Sequence, residues 1–170
     1  GTNSRIEWIM GSFGSKISML YPLTILNGEH SSVEFTGISF AGEGQNLDTG
    51  IKVIHNAPNT SCVVNSKSIS AYGGICTFRS NEWIRKHAKN SKVSISCESL
   101  MMDSVSKSDT IPVDTIENDY VEYSHEAKVG KINDREIFYL MTRGLSEEDA
   151  KSLIVRGFAE PIAKSFPVEY

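Results

Sequence analysis

Short alternating segments dominate the first three quarters of the chain. Between Ile6 and Val129, β-branched and aromatic residues tend to recur with a period of two, and Gly, Asn, Asp or Pro separates the runs. The one segment that also permits a helix is SNEWIRKHAKN. The pattern therefore predicts a mainly β fold built from these runs: IEWIM, KISMLYPLTIL, SVEFTGISF, IKVIH, SCVVNSKSI, VSISCESLMM and VEYSHEAKV.

The arrangement of these strands is less tightly specified by the pattern. Many short strands without intervening helices are compatible with a sandwich, a barrel or a β-solenoid. Tight hairpin signals such as Asn27-Gly28 are scarce, and Ser, Thr and Asn are frequent within the runs. Both features favour a parallel β-helix, although the sequence has no exact repeat.

A helical period replaces the strand period after Ile132. Asn133 is a suitable N-cap for a first helix, which Gly144 ends. Ser146 caps a second helix, and Gly157 is expected to close it.

A third short helix is predicted to start near Phe158. Pro161 is expected in its first turn, where the missing N–H would have no helical partner. Helices this short cannot form a core of their own, so we expect them to pack on the β body or on a partner.

Composition excludes several classes of protein. With 170 residues and 39% hydrophobic content, the chain can bury one core. The formal net charge of −4 does not suggest the basic surface that nucleic-acid binding requires. No apolar run is long enough to span a bilayer, so a soluble protein is expected. Because the chain starts at Gly1 within a strand-like run, we expect a fragment of a longer polypeptide.

The three cysteines form no C-x-x-C pair and predict neither a disulfide framework nor a zinc knuckle. Cys62 and Cys76 are interpreted as packing residues. Cys97 lies on the apolar face of its strand, and His125 lies on the apolar face of a later one. Burial as ordinary core residues is one interpretation of both Cys97 and His125.

A Cys–His hydrolase is a second interpretation of Cys97 and His125, because an imidazole can activate a thiol. No nucleophile elbow surrounds Cys97, however. The segment GSFGSK lacks the spacing of a phosphate-binding loop, so any nucleotide chemistry is expected in another subunit.

Several long segments resemble the C-terminal half of SufB, in the SufB/SufD family of SUF iron-sulfur cluster assembly proteins. The segments are FAGEGQNLDTGIKVIHNAPNTS, SKSISAYGG, SDTIP, HEAKVGKI and IFYLMTRGLSEEDAKSLIVRGFAEPIAKSFPVEY. The resemblance implies a right-handed parallel β-helix over residues 1–131 and a small helical segment over residues 132–170. It also implies a scaffold rather than an enzyme.

The resemblance also implies a site. The family's functional cysteine falls on Cys97, and its His-Glu pair falls on His125 and Glu126. These residues are the candidate ligands for a transient iron-sulfur cluster, expected to be [4Fe–4S]. Ser124 stands where SufB proteins often carry Glu, and the family's sulfur-accepting cysteine would precede Gly1.

The partners implied are a SufC-type ABC ATPase, a SufD-type subunit or a second copy of the chain, and a sulfur donor, in the cytoplasm or a plastid stroma. A SufD-like partner role and an inert β-solenoid interaction module are the alternative functions. The residues expected to dock the ATPase are Phe138, Leu140, Met141, Arg143 and Leu145.

Overall fold

The computed structural model describes residues 1–166, which form ten strands and two helices. The predicted mainly β fold is confirmed, and SNEWIRKHAKN begins inside a strand rather than a helix. The elements are β1 (Arg5–Phe13), β2 (Ile17–Leu20), β3 (Leu23–Leu26), β4 (Ser32–Ala41), β5 (Asn46–His55), β6 (Ser61–Ser70), β7 (Ile75–Ile84), β8 (Ser91–Met101), β9 (Lys107–Ile116), β10 (Val121–Lys131), α1 (Asp134–Thr142) and α2 (Glu147–Ala163).

Two parallel sheets make up the β body. The first sheet has the order β1-β4-β6-β8-β10, and the second has the order β2-β5-β7-β9, with β3 also paired to β5. Every strand pair is parallel, and the chain alternates between the sheets from β4 onward. The result is a β-solenoid of about four coils, which confirms the prediction of a parallel β-helix.

A structural repeat marks one corner of successive coils. His30, Asn59 and Asn90 all adopt left-handed backbone conformations, with φ of 59°, 58° and 56°. Each is followed by a buried hydroxyl residue that donates to the carbonyl three positions earlier, as Thr60 does to Ala57. The repeat was not recognised in the sequence because it is carried by backbone conformation and by interchangeable hydroxyl residues.

Both helices begin as the sequence predicts. The Asn133 side chain accepts a hydrogen bond from the Arg135 amide at the start of α1, and the Ser146 hydroxyl accepts one from the Asp149 amide at the start of α2. Gly144, with φ of 95°, follows the C-cap of α1.

The predicted third helix is wrong, because α2 runs without interruption through Gly157 and Pro161 to Ala163. Pro161 lies in the last turns, where its missing N–H removes only one helical hydrogen bond. Tertiary packing stabilises these turns: Ile162 is buried, and the Phe158 ring lies 4.5 Å from the Lys67 ammonium.

The helices pack on the outer face of the first sheet, as expected for elements too short to form their own core. Leu100 and Met102 join a small hydrophobic cluster with α1 and α2. Strand β10 ends at Lys131, next to the boundary proposed from the sequence, but the division into two domains remains a prediction. Within residues 1–166, no helix combines the length and apolar character needed to cross a membrane.

Candidate functional site

Cys97 lies on β8 with its side chain directed into the solenoid. Its neighbours in register are Ser66 on β6 and Ala127 on β10. The residue is only 2% exposed, and burial raises the pKa of its thiol to about 12. The thiol is therefore protonated and shielded within the closed solenoid.

His125 shares the interior with Cys97. It lies on β10 opposite Ile95, two positions before the residue that pairs with Cys97. Side chains related in this way on adjacent strands are about 8 Å apart at their Cβ atoms. The Nε2 atom of His125 is buried without a hydrogen-bond partner among the described residues, although the side chain as a whole is half-buried.

Glu126 faces the opposite way. The pairing of β10 with β8 is continuous from Val121 to Lys131, so no bulge turns this carboxylate inward. Glu126 is exposed and forms an ion pair with Lys128 at 3.1 Å. The structure thus groups Cys97 with His125 and places Glu126 on the outer face, while the roles of all three remain predictions.

The five residues predicted to dock an ATPase divide into two groups. Phe138, Met141 and Arg143 are exposed, with 69% of Phe138 accessible to solvent. Leu140 and Leu145 instead pack against the hydrophobic cluster formed by Ile132, Ile137 and Ala150. Tyr139, which opens the segment YLMTRGLSEEDA expected at the centre of this contact but is not one of the five residues, is exposed and lies 5.2 Å from the Arg143 guanidinium.

A second polar group, which sequence reasoning missed, lies deeper in the solenoid. His55 from β5, Cys62 from β6 and Glu82 from β7 are all buried, and their ligand-type atoms lie within 4.8 Å of one another. We call these three residues the inner triad. Cys62 Sγ is 3.8 Å from Glu82 Oε1, and His55 Nε2 is 3.9 Å from Glu82 Oε2.

The inner triad is neutral near pH 7. Burial lowers the pKa of His55 to about 4, so its imidazole is uncharged. Burial and the nearby Asp114 carboxylate raise the pKa of Glu82 to about 9, so its carboxyl group is protonated. Burial and Glu82 together raise the pKa of Cys62 well above its ordinary value.

Sequence spacing gave no motif for the inner triad, because its members come from three strands and two sheets. The available signal was Glu82, which occupies an inward position of β7 between Ser80 and Ile84. A carboxyl group at a core position of a strand is rare enough to indicate a special environment. Cys76, by contrast, is a packing residue as predicted, since it clusters with Ala41 and Leu47.

These features define a parallel β-solenoid with a capped helical hairpin on one sheet and a buried thiol near the solenoid's last coil. Residues 1–158 match the family described as SUF system FeS cluster assembly, SufBD core domain. The chain belongs to this family, and the resemblance found in the sequence is confirmed.

Individual relatives agree with this assignment. The chain is 48% identical over 168 residues to the iron-sulfur cluster assembly protein SufB of Bacillus subtilis, covering 99% of the chain and 36% of that protein. It is 46% identical to SufBD family proteins of Staphylococcus aureus and Mycobacterium leprae, covering 36% and 19% of their lengths and 99% of the chain in each case. The chain therefore spans about a third or less of these relatives.

Proposed function

We propose that this chain forms part of a scaffold on which an iron-sulfur cluster is built from iron and sulfide and then passed on. The observation that supports this most is the placement of Cys97 beside His125 in a chain of the SufBD family. Both residues lie on the last two strands of the first sheet, within reach of the end of the solenoid.

The scaffold must open before Cys97 can bind iron. A thiolate is the form that binds metal, and burial keeps this thiol protonated. Strand β10 lies between Cys97 and the end of the sheet, so displacement of β10 exposes the thiol. The buried position then protects the growing cluster from solvent once β10 returns.

A partner subunit completes the site. A cluster takes about four ligands, preferably thiolates, and Cys97 with His125 supplies two donors. Strands β9 and β10 are the terminal strands of their sheets within residues 1–166, and terminal strands offer unpaired backbone groups to another chain. A SufD-type subunit or a second copy binds there and contributes ligands, with Glu126 directed toward it from the outer face.

The α1–α2 hairpin couples the scaffold to a SufC-type ATPase. Its exposed residues form a docking surface, and α2 packs on the outer face of the sheet whose inner face carries Cys97. Movement of α2 by the ATPase therefore reaches the strands around the thiol directly. Hydrolysis of ATP belongs to the partner, and the sulfur comes from a separate donor.

Anaerobic reconstitution with iron and sulfide tests the scaffold function. We expect the wild-type protein, with its partner subunit, to gain the visible absorption of an iron-sulfur cluster, and Mössbauer spectra to show [4Fe–4S]. Cys97→Ser should lose this absorption and His125→Ala should reduce it severalfold. Cys76→Ser, which removes another buried thiol, is the matched control and should retain it.

Full cluster formation by a folded Cys97→Ser protein would contradict the proposal for this site. It would instead favour a SufD-like partner role, in which the chain supports a cluster ligated elsewhere. The exposed Ser124 is the feature that motivates this second candidate, because its hydroxyl is a weaker iron ligand than a carboxylate. Failure of the wild-type complex to acquire any cluster would favour an inert interaction module.

A further inference from the structure

The inner triad has the geometry of a metal site. In a tetrahedral site with metal–ligand bonds of about 2.0–2.3 Å, neighbouring donor atoms lie about 3.3–3.6 Å apart. Two separations, 3.8 Å from Cys62 Sγ to Glu82 Oε1 and 3.9 Å from His55 Nε2 to Glu82 Oε2, exceed this by only a few tenths of an ångström. The ligand atoms of His55 and Cys62 lie within 4.8 Å of each other, so side-chain rotations of about an ångström bring all three groups onto one ion.

A hydrogen bond from Cys62 Sγ to Glu82 Oε1 at 3.8 Å leaves two other polar atoms of the inner triad unpaired. His55 Nε2 and Glu82 Oε2 are both buried and lack any hydrogen-bond partner in the described part of the chain. Their separation of 3.9 Å is well beyond hydrogen-bond distance. Because buried polar atoms are nearly always paired, these two unpaired atoms facing each other leave a position that a bound ion would satisfy.

The imidazole of His55 is also held in the form that binds a metal. Its Nδ1 atom lies 2.7 Å from Thr60 Oγ1, which lies 2.8 Å from Ser91 Oγ, and Ser91 in turn donates to the Ala88 carbonyl. The Thr60 hydroxyl donates to the Ala57 carbonyl at 3.2 Å, which leaves its oxygen able to accept from Nδ1–H of His55. In this tautomer the lone pair is on Nε2, which faces Cys62 and Glu82, as in histidines that bind metals.

We propose that the inner triad binds a single divalent first-row transition metal ion, Fe²⁺ or Zn²⁺, through His55 Nε2, Cys62 Sγ and the Glu82 carboxylate. One nitrogen, one sulfur and one oxygen donor suit borderline ions of this kind. Binding of the ion displaces the protons of Cys62 and Glu82 to solvent, and the resulting thiolate and carboxylate carry two negative charges that neutralise the ion in a buried site. Cys62 pairs with Val93 on β8, four residues before Cys97, so this site is about 13 Å along the sheet from Cys97.

The last coil covers the inner triad. Glu82 pairs in register with Asp114 on β9, and the Tyr123 hydroxyl on β10 donates to Asp114 at 2.5 Å. Asp114 is exposed and negatively charged, so it attracts cations to the end of the solenoid nearest the inner triad. The ion enters as this coil forms, and exchange from the folded protein is slow.

Metal content after refolding tests the proposal. The purified protein is unfolded with a chelator, refolded with Zn²⁺ or Co²⁺ and no sulfide, desalted and analysed by mass spectrometry. We expect about one ion per wild-type chain, and binding weakened at least about tenfold in Cys62→Ser and Glu82→Gln. Cys76→Ser, which removes another buried thiol outside the inner triad, should keep the ion.

The cobalt form provides a second measurement that does not require any triad variant to fold. In the double variant Cys76→Ser/Cys97→Ser, the remaining thiol is Cys62, so a thiolate-to-cobalt charge-transfer band must come from it. Presence of the band supports the site. Its absence in the folded double variant, or less than about a tenth of an ion per wild-type chain, would overturn the proposal in favour of a neutral buried cluster.

Discussion

Single residues set the closest contacts within the solenoid, and Gly50 on β5 is the tightest of them. It pairs with Arg79 on β7, and an added Cβ atom would overlap the Arg79 backbone carbonyl. The Arg79 side chain is itself fixed by hydrogen bonds to Asp48, the shortest at 2.9 Å. Strands β5 and β7 are therefore held in close contact at this position, with no room for a larger residue at Gly50.

We predict that Gly50→Ala lowers the free energy of unfolding by about 1–3 kcal/mol, the usual cost of overpacking. Gly130→Ala on β10 is the control, because a Cβ atom there has no neighbour within 4 Å. Urea denaturation followed by circular dichroism measures both. Equal stability of the two variants would show that the backbone around Gly50 relaxes easily.

The ionisation of Glu82 gives stability a specific dependence on pH. Its carboxyl group has a pKa of about 9 when folded and an ordinary value of 4.5 when unfolded. Above about pH 4.5 the unfolded chain releases a proton that the folded chain retains, so stability falls as pH rises toward 9.

We therefore expect Glu82→Gln, which cannot ionise, to become more stable relative to the wild type as pH rises from about 5.5 to 8.5. The difference in free energy of unfolding between Glu82→Gln and the wild type should change by at most about 1.4 kcal/mol per pH unit. Urea denaturation in the presence of a chelator measures it without interference from metal. Parallel pH profiles for the two proteins would mean that Glu82 is ionised in the folded state.

At the scale of elements, the α1–α2 hairpin uses its two faces differently. The inner face contributes Ile137 and Ala150 to the cluster on the first sheet, whereas the outer face leaves Phe138, Tyr139 and Met141 exposed. Three large apolar side chains on nine helical residues are more than a solvated surface needs, and such patches commonly bind proteins.

We predict that the double substitution Phe138→Ser/Met141→Ser weakens binding of a SufC-type ATPase at least about tenfold, as expected for the loss of central interface residues. The fold should be retained, because neither side chain belongs to the buried cluster. Val105→Ser is the control, since Val105 is 66% exposed but lies in the turn before β9. Undiminished co-purification of the double variant would place the docking surface elsewhere.

At the scale of the whole molecule, the helices also shield apolar residues on the outer face of the first sheet from water. An apolar groove of about 840 Å³ lies between part of α2 and the outer face of the first sheet. The sheet side of this groove includes Ile38, Phe40 and Ile69, and the helix side includes Val155 and Ala159. Removing α2 would expose this apolar sheet face to water.

We therefore predict that a chain truncated after Lys131 binds a hydrophobic dye and aggregates, while retaining much of its β-sheet circular dichroism. Size-exclusion chromatography and dye fluorescence measure the change. A truncated protein that stays monomeric and binds no more dye than the intact chain would show that the solenoid does not depend on this shielding.

Features that depend on local periodicity and capping follow from the amino-acid order alone. Alternation predicted the strands, and the same alternation placed Cys97 and His125 on inward faces. The Asn133 and Ser146 caps predicted where the helices start. These features depend on interactions between residues a few positions apart, so the local sequence is enough to predict them.

Features that arise between coils follow from the three-dimensional packing of the chain. The extent of α2 depended on packing against the first sheet, which outweighed the helix-breaking tendency of Gly157 and Pro161. The inner triad exists because parallel pairing and facing sheets bring β5, β6 and β7 together. Residue spacing could not reveal it, because the length of each corner sets which side chains from successive coils meet.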